Sequence, residues 1–128
     1  MALERYRVGA LVAVSDMRRA REFYEGKLGL TAGGDDVDGG RTYACGGQTM
    51  LHVFPSAQGA GGSGATVAGW NVSDIESVVS ELSANGIAFE HYDQPPLVTD
   101  ARGIATLGAS KGAWFKDPDG NILGLVQE

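Results

Sequence analysis

Hydrophobic and polar positions along the chain fall into two similar blocks. Residues 6–14, YRVGALVAV, form an apolar run that ends at Ser15 and Asp16, which predicts a buried strand followed by a helix cap. From Met17 onward, apolar Ala20, Phe23, Tyr24 and Leu28 recur at helical spacing, and Gly29 stands where a left-handed residue ends a helix. Asp38, Gly39 and Gly40 predict a turn, and residues 41–46 and 48–54 a hairpin interrupted by Gly46 and Gly47. Residues 66–72 then repeat the strand. Ser73 with Glu76 predicts a capping box, Ile75, Val78, Val79 and Leu82 the buried stripe of a second helix, and Gly86 its end.

The two blocks share the tripeptide VSD, at 14–16 and at 72–74, so the offset from Asp16 to Asp74 is 58 residues. Such self-similarity marks a duplicated unit. The glycine- and serine-rich stretch 57–64, AQGAGGSG, reads as a flexible linker between a first module of about residues 5–56 and a second of 65–128, within one domain. Residues 87–92 read as a strand. Residues 93–111, with two prolines and no clean alternation, read as a long loop, either a lid over a pocket or plain surface. Residues 112–116 and 121–127 flank Asp117-Pro118-Asp119-Gly120, whose Pro and Gly suit a tight hairpin turn. Each half is thus strand, helix and three strands. The predicted class is α+β, two βαβββ modules forming a cupped mixed sheet with helices on the convex face.

Composition narrows the function. A chain of 128 residues, 43% hydrophobic, builds one ordinary core. Its formal net charge of -6 argues against nucleic acid as partner, and Arg18, Arg19 and Arg21 form its only basic cluster, on a polar helix face. One cysteine makes no internal disulfide, and the absence of a leader or a long apolar span predicts a cytoplasmic protein without a membrane partner. Cys45 has no adjacent base or positive charge and reads as a small packed residue.

With the duplication in place, VSDMRRAREFYEGKLGL at 14–30, VSDIESVVSELSANGI at 72–87 and WFKDPDGNILGLVQ at 114–127 resemble the vicinal oxygen chelate superfamily of glyoxalases, bleomycin resistance proteins and extradiol dioxygenases. The resemblance spans essentially the whole chain. It implies paired βαβββ modules, a homodimer, and a ligand on the concave sheet face, where most catalytic members hold a divalent metal. The first-strand metal ligand falls seven residues before the Asp of each VSD, at Gly9 and Val67, and the last-strand ligand at Gly124. His52 lies at or beside the remaining position. One histidine does not supply the three protein donors of a catalytic zinc site, so neither metal nor cofactor is expected.

Alternation from these positions puts Val67, Gly69 and Asn71 on the concave face, turns Trp70 to the core, and sets Trp114 and Lys116 opposite Phe115. Gly9, Gly69 and Gly124 leave room for a ring system stacked on Trp114, Tyr92 or Phe54 and anchored by Asn71, His52 or Lys116, unless neighbouring side chains fill it. His91 reads as a pocket rim. The leading expectation is a protein that sequesters a small aromatic or cationic, antibiotic-type compound. The alternatives are a glyoxalase-like lyase or isomerase using His52, Lys116 or Tyr92 as acid or base, and an interaction module.

Overall fold

Each VSD converts a strand into a helix by the same device. In the computed structural model, which describes residues 2–128, β1 (Ala10–Val14) leads to Asp16, whose carboxylate accepts from the amides of Arg18 and Arg19 at 2.9 and 3.3 Å. Helix α1 (Met17–Arg21) follows and widens into a π-type turn over Glu22–Lys27, burying Ala20, Phe23 and Tyr24. In the second block, β5 (Thr66–Asn71) leads to Asp74, which caps α2 (Ile75–Ala84) through the Ser77 amide at 3.3 Å. The expected Ser73–Glu76 capping box therefore does not form. Asp74 already offers a carboxylate to the first turn, and Glu76 pairs with Arg102 at 2.6 Å instead. Gly29 and Gly86 end the helical segments with φ of 75° and 92°.

The remaining strands are β2 (Ala32–Asp35), β3 (Arg41–Ala44), β4 (Met50–Pro55), β6 (Asp93–Gln94), β7 (Leu97–Val98), β8 (Ala105–Leu107), β9 (Ser110–Lys116) and β10 (Ile122–Gln127). They make two four-stranded sheets of the same order, β1-β4-β3-β2 and β5-β10-β9-β8, with the first pair of each parallel and the rest antiparallel. The architecture is therefore the mixed α+β one expected from the duplication.

Three boundaries differ from the sequence reading. Residues 6–9 are not strand, and Val8 is 91% exposed, because the tight turn at Gly46–Gln48 ends the facing strand β4 and leaves nothing to pair with. Residues 87–92 join the second sheet through a bridge from Phe89 to Phe115 and a bond from the Glu90 amide to the Trp114 carbonyl (2.8 Å), and Tyr92 turns to Thr99 instead, since β8 already occupies the edge of β9 from Ser110 to Gly112. The stretch 93–111 is not one loop but holds the small β6–β7 hairpin and β8.

The core lies between helices and sheets. Tyr24, Tyr43 and Phe115 are fully buried, with Tyr24 stacked on Tyr43 and Phe115 against Phe23, Phe89 and Trp70. A buried phenol needs a partner, and the DPDG turn supplies it. Asp117 accepts from Tyr24 Oη at 2.8 Å, Asn121 Nδ2 donates to the Ala13 carbonyl at 2.8 Å, and Asp119 accepts from the amide and hydroxyl of Ser15. The turn is thus the staple between second and first blocks.

The glycine-rich linker joins this staple rather than hanging loose. The Gly61 amide donates to Asn121 Oδ1 at 3.0 Å, and with φ of 66° a β-carbon there would stand 2.0 Å from the Asp119 carbonyl oxygen. Gly61→Ala is expected to destabilise by about 2–3 kcal/mol through overpacking and left-handed strain. Gly64→Ala, with no atom within 4 Å of the new carbon, should leave the urea midpoint unchanged. Equal midpoints for both variants would show that the linker does not dock.

Candidate functional site

Period-two alternation decides what faces away from the helices. In the first sheet Val12, Val14, Tyr43, Leu51 and Val53 are buried beneath the helical layer, which leaves Leu11, Thr42, Met50, His52 and Phe54 on the opposite face. In the second, Ala113, Phe115, Leu123 and Leu125 are buried, and Gly112, Trp114, Lys116 and Gly124 turn the other way. The facing inferred for Trp114 and Lys116 is thus found. Trp70 stacks toward Phe115 at 6.5 Å, as its assignment to the core requires.

The candidate residues are not gathered in one cluster. Gly69 and Asn71 line a cavity of about 520 Å³ where the starts of β1 and β4 meet the end of β5, together with Val8, Gly9, Cys45, Thr49, Met50 and Trp70. That size suits a small organic molecule. Gly69 also borders a second hollow of about 280 Å³ with Trp114 and Gly124. Phe54 stands apart, stacked on His52 at 5.8 Å and 9°. His91 borders a different hollow, with Arg102 and Ser83 of α2.

The second sheet corrects the expectation of open space over Gly124. Trp114 is the register partner of Gly124, and its indole lies flat over the glycines. A β-carbon would stand 3.3 Å from Trp114 Cδ1 at position 124 and 2.9 Å from its Cη2 at position 112. Tyr92 meets this indole edge-on at 5.7 Å and 73°, and Lys116 Nζ is held by Glu90 at 3.3 Å. Trp114 and Tyr92 therefore form a packed pair, and the Lys116 cation is already partnered.

His52 is also engaged. Its Nδ1 lies 2.9 Å from Thr42 Oγ1 and 3.0 Å from Asp36 Oδ2, and its Nε2 lies 2.8 Å from Asp38 Oδ2. The His52 contact and the Gly40 amide hold the Asp38 carboxyl below the usual carboxylate range. Both ring nitrogens are thus engaged within this cluster, and His52 is not among the residues that line the 520 Å³ cavity. On the helical side, burial pushes the Tyr43 phenol up, reinforced by its hydrogen bond to Glu25 at 2.9 Å.

The resemblance assigns the metal of the superfamily's catalytic members to four strand positions, which the structure places as follows. The β1/β4 register continues to place Met50, not His52, beside Gly9, and His52 is opposite Leu11. Val67 falls where the β5/β10 register shifts, and packs against the core instead of facing the cup. Gly124 lies under an indole. None of these positions carries the nitrogen or carboxylate oxygen such a metal takes.

Val8, Cys45, Thr49 and Met50 were missed by sequence reasoning as cavity residues. Met50 alone had a signal, since pairing a parallel strand to Gly9 brings it there.

Comparisons with known proteins agree with this geometry. The family model described as the glyoxalase/bleomycin resistance protein/dioxygenase superfamily matches residues 7–125. No curated protein sequence matches the chain. Among solved structures, a glyoxalase/bleomycin resistance protein from Catenulispora acidiphila is 20% identical, with 95% of this chain and 97% of that one covered and a TM-score of 0.70. TnmS3, an antibiotic binding protein from a Streptomyces species, is 24% identical over 95% and 96% of the two chains, with a TM-score of 0.66. The oxidase ChaP-H2 is 17% identical over 96% and 94%, with a TM-score of 0.68. At these identities the likeness is one of fold. With the family model covering nearly its full length, the chain belongs to the glyoxalase/bleomycin resistance protein/dioxygenase superfamily.

Proposed function

We propose that this chain binds a small aromatic or cationic organic compound in the cavity between β1, β4 and β5, without the metal used by catalytic relatives. The observation that carries this reading is the cavity itself. It is about 520 Å³ in volume, floored by Gly9 and Gly69, walled by Val8, Met50 and Trp70, and edged by the polar groups of Thr49 and Asn71. A few polar groups around apolar walls fix a ligand's orientation while burial supplies affinity. The net charge of -6 favours a cationic ligand by long-range attraction. The role of TnmS3 as an antibiotic binding protein supports the same class of ligand. The homodimer implied by the family belongs to this proposal, with exposed Tyr6, Val8 and Leu11 as the apolar surface a second copy would cover.

The enzymatic alternative has less support, because His52 and Lys116 are both held by carboxylates. Isothermal titration of the full chain against a panel of aromatic and cationic natural products, with and without chelator, tests the proposal. Saturable binding that survives chelation is expected. A panel-wide absence of heat and of any thermal shift would overturn it.

A further inference from the structure

We propose that Asp36, Asp38 and His52 form a binding site for a divalent transition-metal ion of the zinc or cobalt kind, away from the positions at which the family holds its metal. The three residues come from two places in the first sheet. Asp36 and Asp38 lie on the turn between β2 and β3, which Gly39 closes at φ 86°, and His52 lies on β4, two strands from β2. The turn is held by the Gly40 carbonyl, which accepts from the Asp36 amide at 2.8 Å, and it sets Asp36 Oδ2 3.0 Å from Nδ1 and Asp38 Oδ2 2.8 Å from Nε2. One ligand atom from each residue lies within 4.8 Å of the others.

One imidazole nitrogen and two carboxylate oxygens are a donor set that first-row divalent ions accept, and three protein ligands leave a position open to solvent or to a ligand donor. Around a tetrahedral ion with bonds near 2.1 Å, donor atoms stand roughly 3.4 Å apart. Nε2 and Asp38 Oδ2 stand at 2.8 Å, so a modest spreading admits the ion there, and Asp36 joins it by swinging its carboxylate from Nδ1, where Oδ2 now stands at 3.0 Å, to the Nε2 side. The two carboxylates are 34 and 43% exposed, which gives them room to turn, while His52, 22% exposed and stacked on Phe54, stays in place.

Thr42 completes the arrangement. Its hydroxyl stands 2.9 Å from Nδ1 and donates to Asp36 at 2.7 Å, so Nδ1–H donating to Thr42 leaves Nε2 as the ligating nitrogen. Such a partner on the far ring nitrogen is how metal-binding histidines are oriented. Asp35 does not compete, because Arg41 holds it at 2.9 Å.

The test uses the full chain stripped of metal, titrated with zinc and, separately, with cobalt, whose visible absorption reports nitrogen and oxygen ligation. One ion per chain is expected, with the His52 ring resonances shifting in proportion. Asp36→Asn, Asp38→Asn and His52→Gln should each weaken binding at least about 10-fold, and Thr42→Val by roughly 10-fold at unchanged stoichiometry. His91→Gln should have no effect. If His52→Gln melts without cooperativity, the two Asp→Asn variants, on the β2–β3 turn and outside the core, decide. No saturable binding up to millimolar metal, or binding unaltered in both Asp→Asn variants, overturns the site. Metal alone is the probe, so the result is independent of the organic ligand proposed above.

Discussion

Asp117→Ala is expected to lower folding stability by about 4 kcal/mol, the largest loss of any single substitution outside the hydrophobic core. Asp117 is 4% exposed, and its carboxylate accepts from Tyr24 Oη and Asn121 Nδ2 at 2.8 Å, from the Asn121 amide at 2.9 Å and from the Asp119 amide at 3.0 Å. Among the described residues no basic side chain pairs with it, so dipoles alone hold the charge. Removing it strands several buried donors, each worth about 1–3 kcal/mol, of which part relaxes. At this chain length the melting midpoint should fall by roughly 15 °C. Tyr24→Phe removes one donor of four and should cost about 2 kcal/mol. Urea unfolding at constant slope distinguishes these values. An Asp117→Ala midpoint indistinguishable from the parent would reduce the DPDG motif to a turn.

The same contact sets an alkaline limit. Burial pushes the Tyr24 phenol above its ordinary value of 10.0, and the neighbouring Asp117 charge and hydrogen bond push it further. The folded value lies above the unfolded one, so the stabilisation is complete below pH 10. Above it, the unfolded phenol ionises while the folded one does not. Stability should therefore fall by about 1.4 kcal/mol per pH unit from this residue, with Tyr43 adding in the same direction. In Tyr24→Phe that part of the slope should vanish. An unchanged slope would mean that Tyr24 is not buried as a neutral donor.

What sequence revealed of this fold was the part carried by local period. The stripe of Ala20, Phe23 and Tyr24 and the stripe of Ile75 and Val79 are buried as their spacing predicts, because helical period depends on nothing distant. Alternation likewise separated Trp114 from Phe115. Strand ends were less legible, since the apolar run before Ala10 says nothing of where β4 stops. The site suffered more, because its content is non-local. Gly61 reads as linker composition until Asp119 is seen against it, and Gly124 reads as open space until the Trp114 indole is seen over it. Asp36 and Asp38 look like ordinary turn residues, because only the register of β3 against β4 sets them over His52.

Gly9→Phe is expected to weaken binding of any panel compound at least about 30-fold, close to 2 kcal/mol, while leaving the melting temperature unchanged or higher. Gly9 sits on the cavity floor, its φ lies outside the left-handed region, and the nearest atom to an added β-carbon is the Met50 carbonyl oxygen at 3.7 Å. The backbone therefore accepts a side chain, and an aromatic ring placed there occupies the volume the ligand needs. Its contact with Val8, Met50 and Trp70 would bury apolar area that is now exposed, which favours the folded state. Trp114→Ala supplies the contrast, because it empties the space over Gly112 and Gly124 on the second sheet and leaves the lining of the larger cavity intact. Loss of affinity in Gly9→Phe with retention in Trp114→Ala places the ligand between β1, β4 and β5. The reverse pattern moves it to the Trp114 hollow, and binding indifferent to both substitutions refutes a site on either surface.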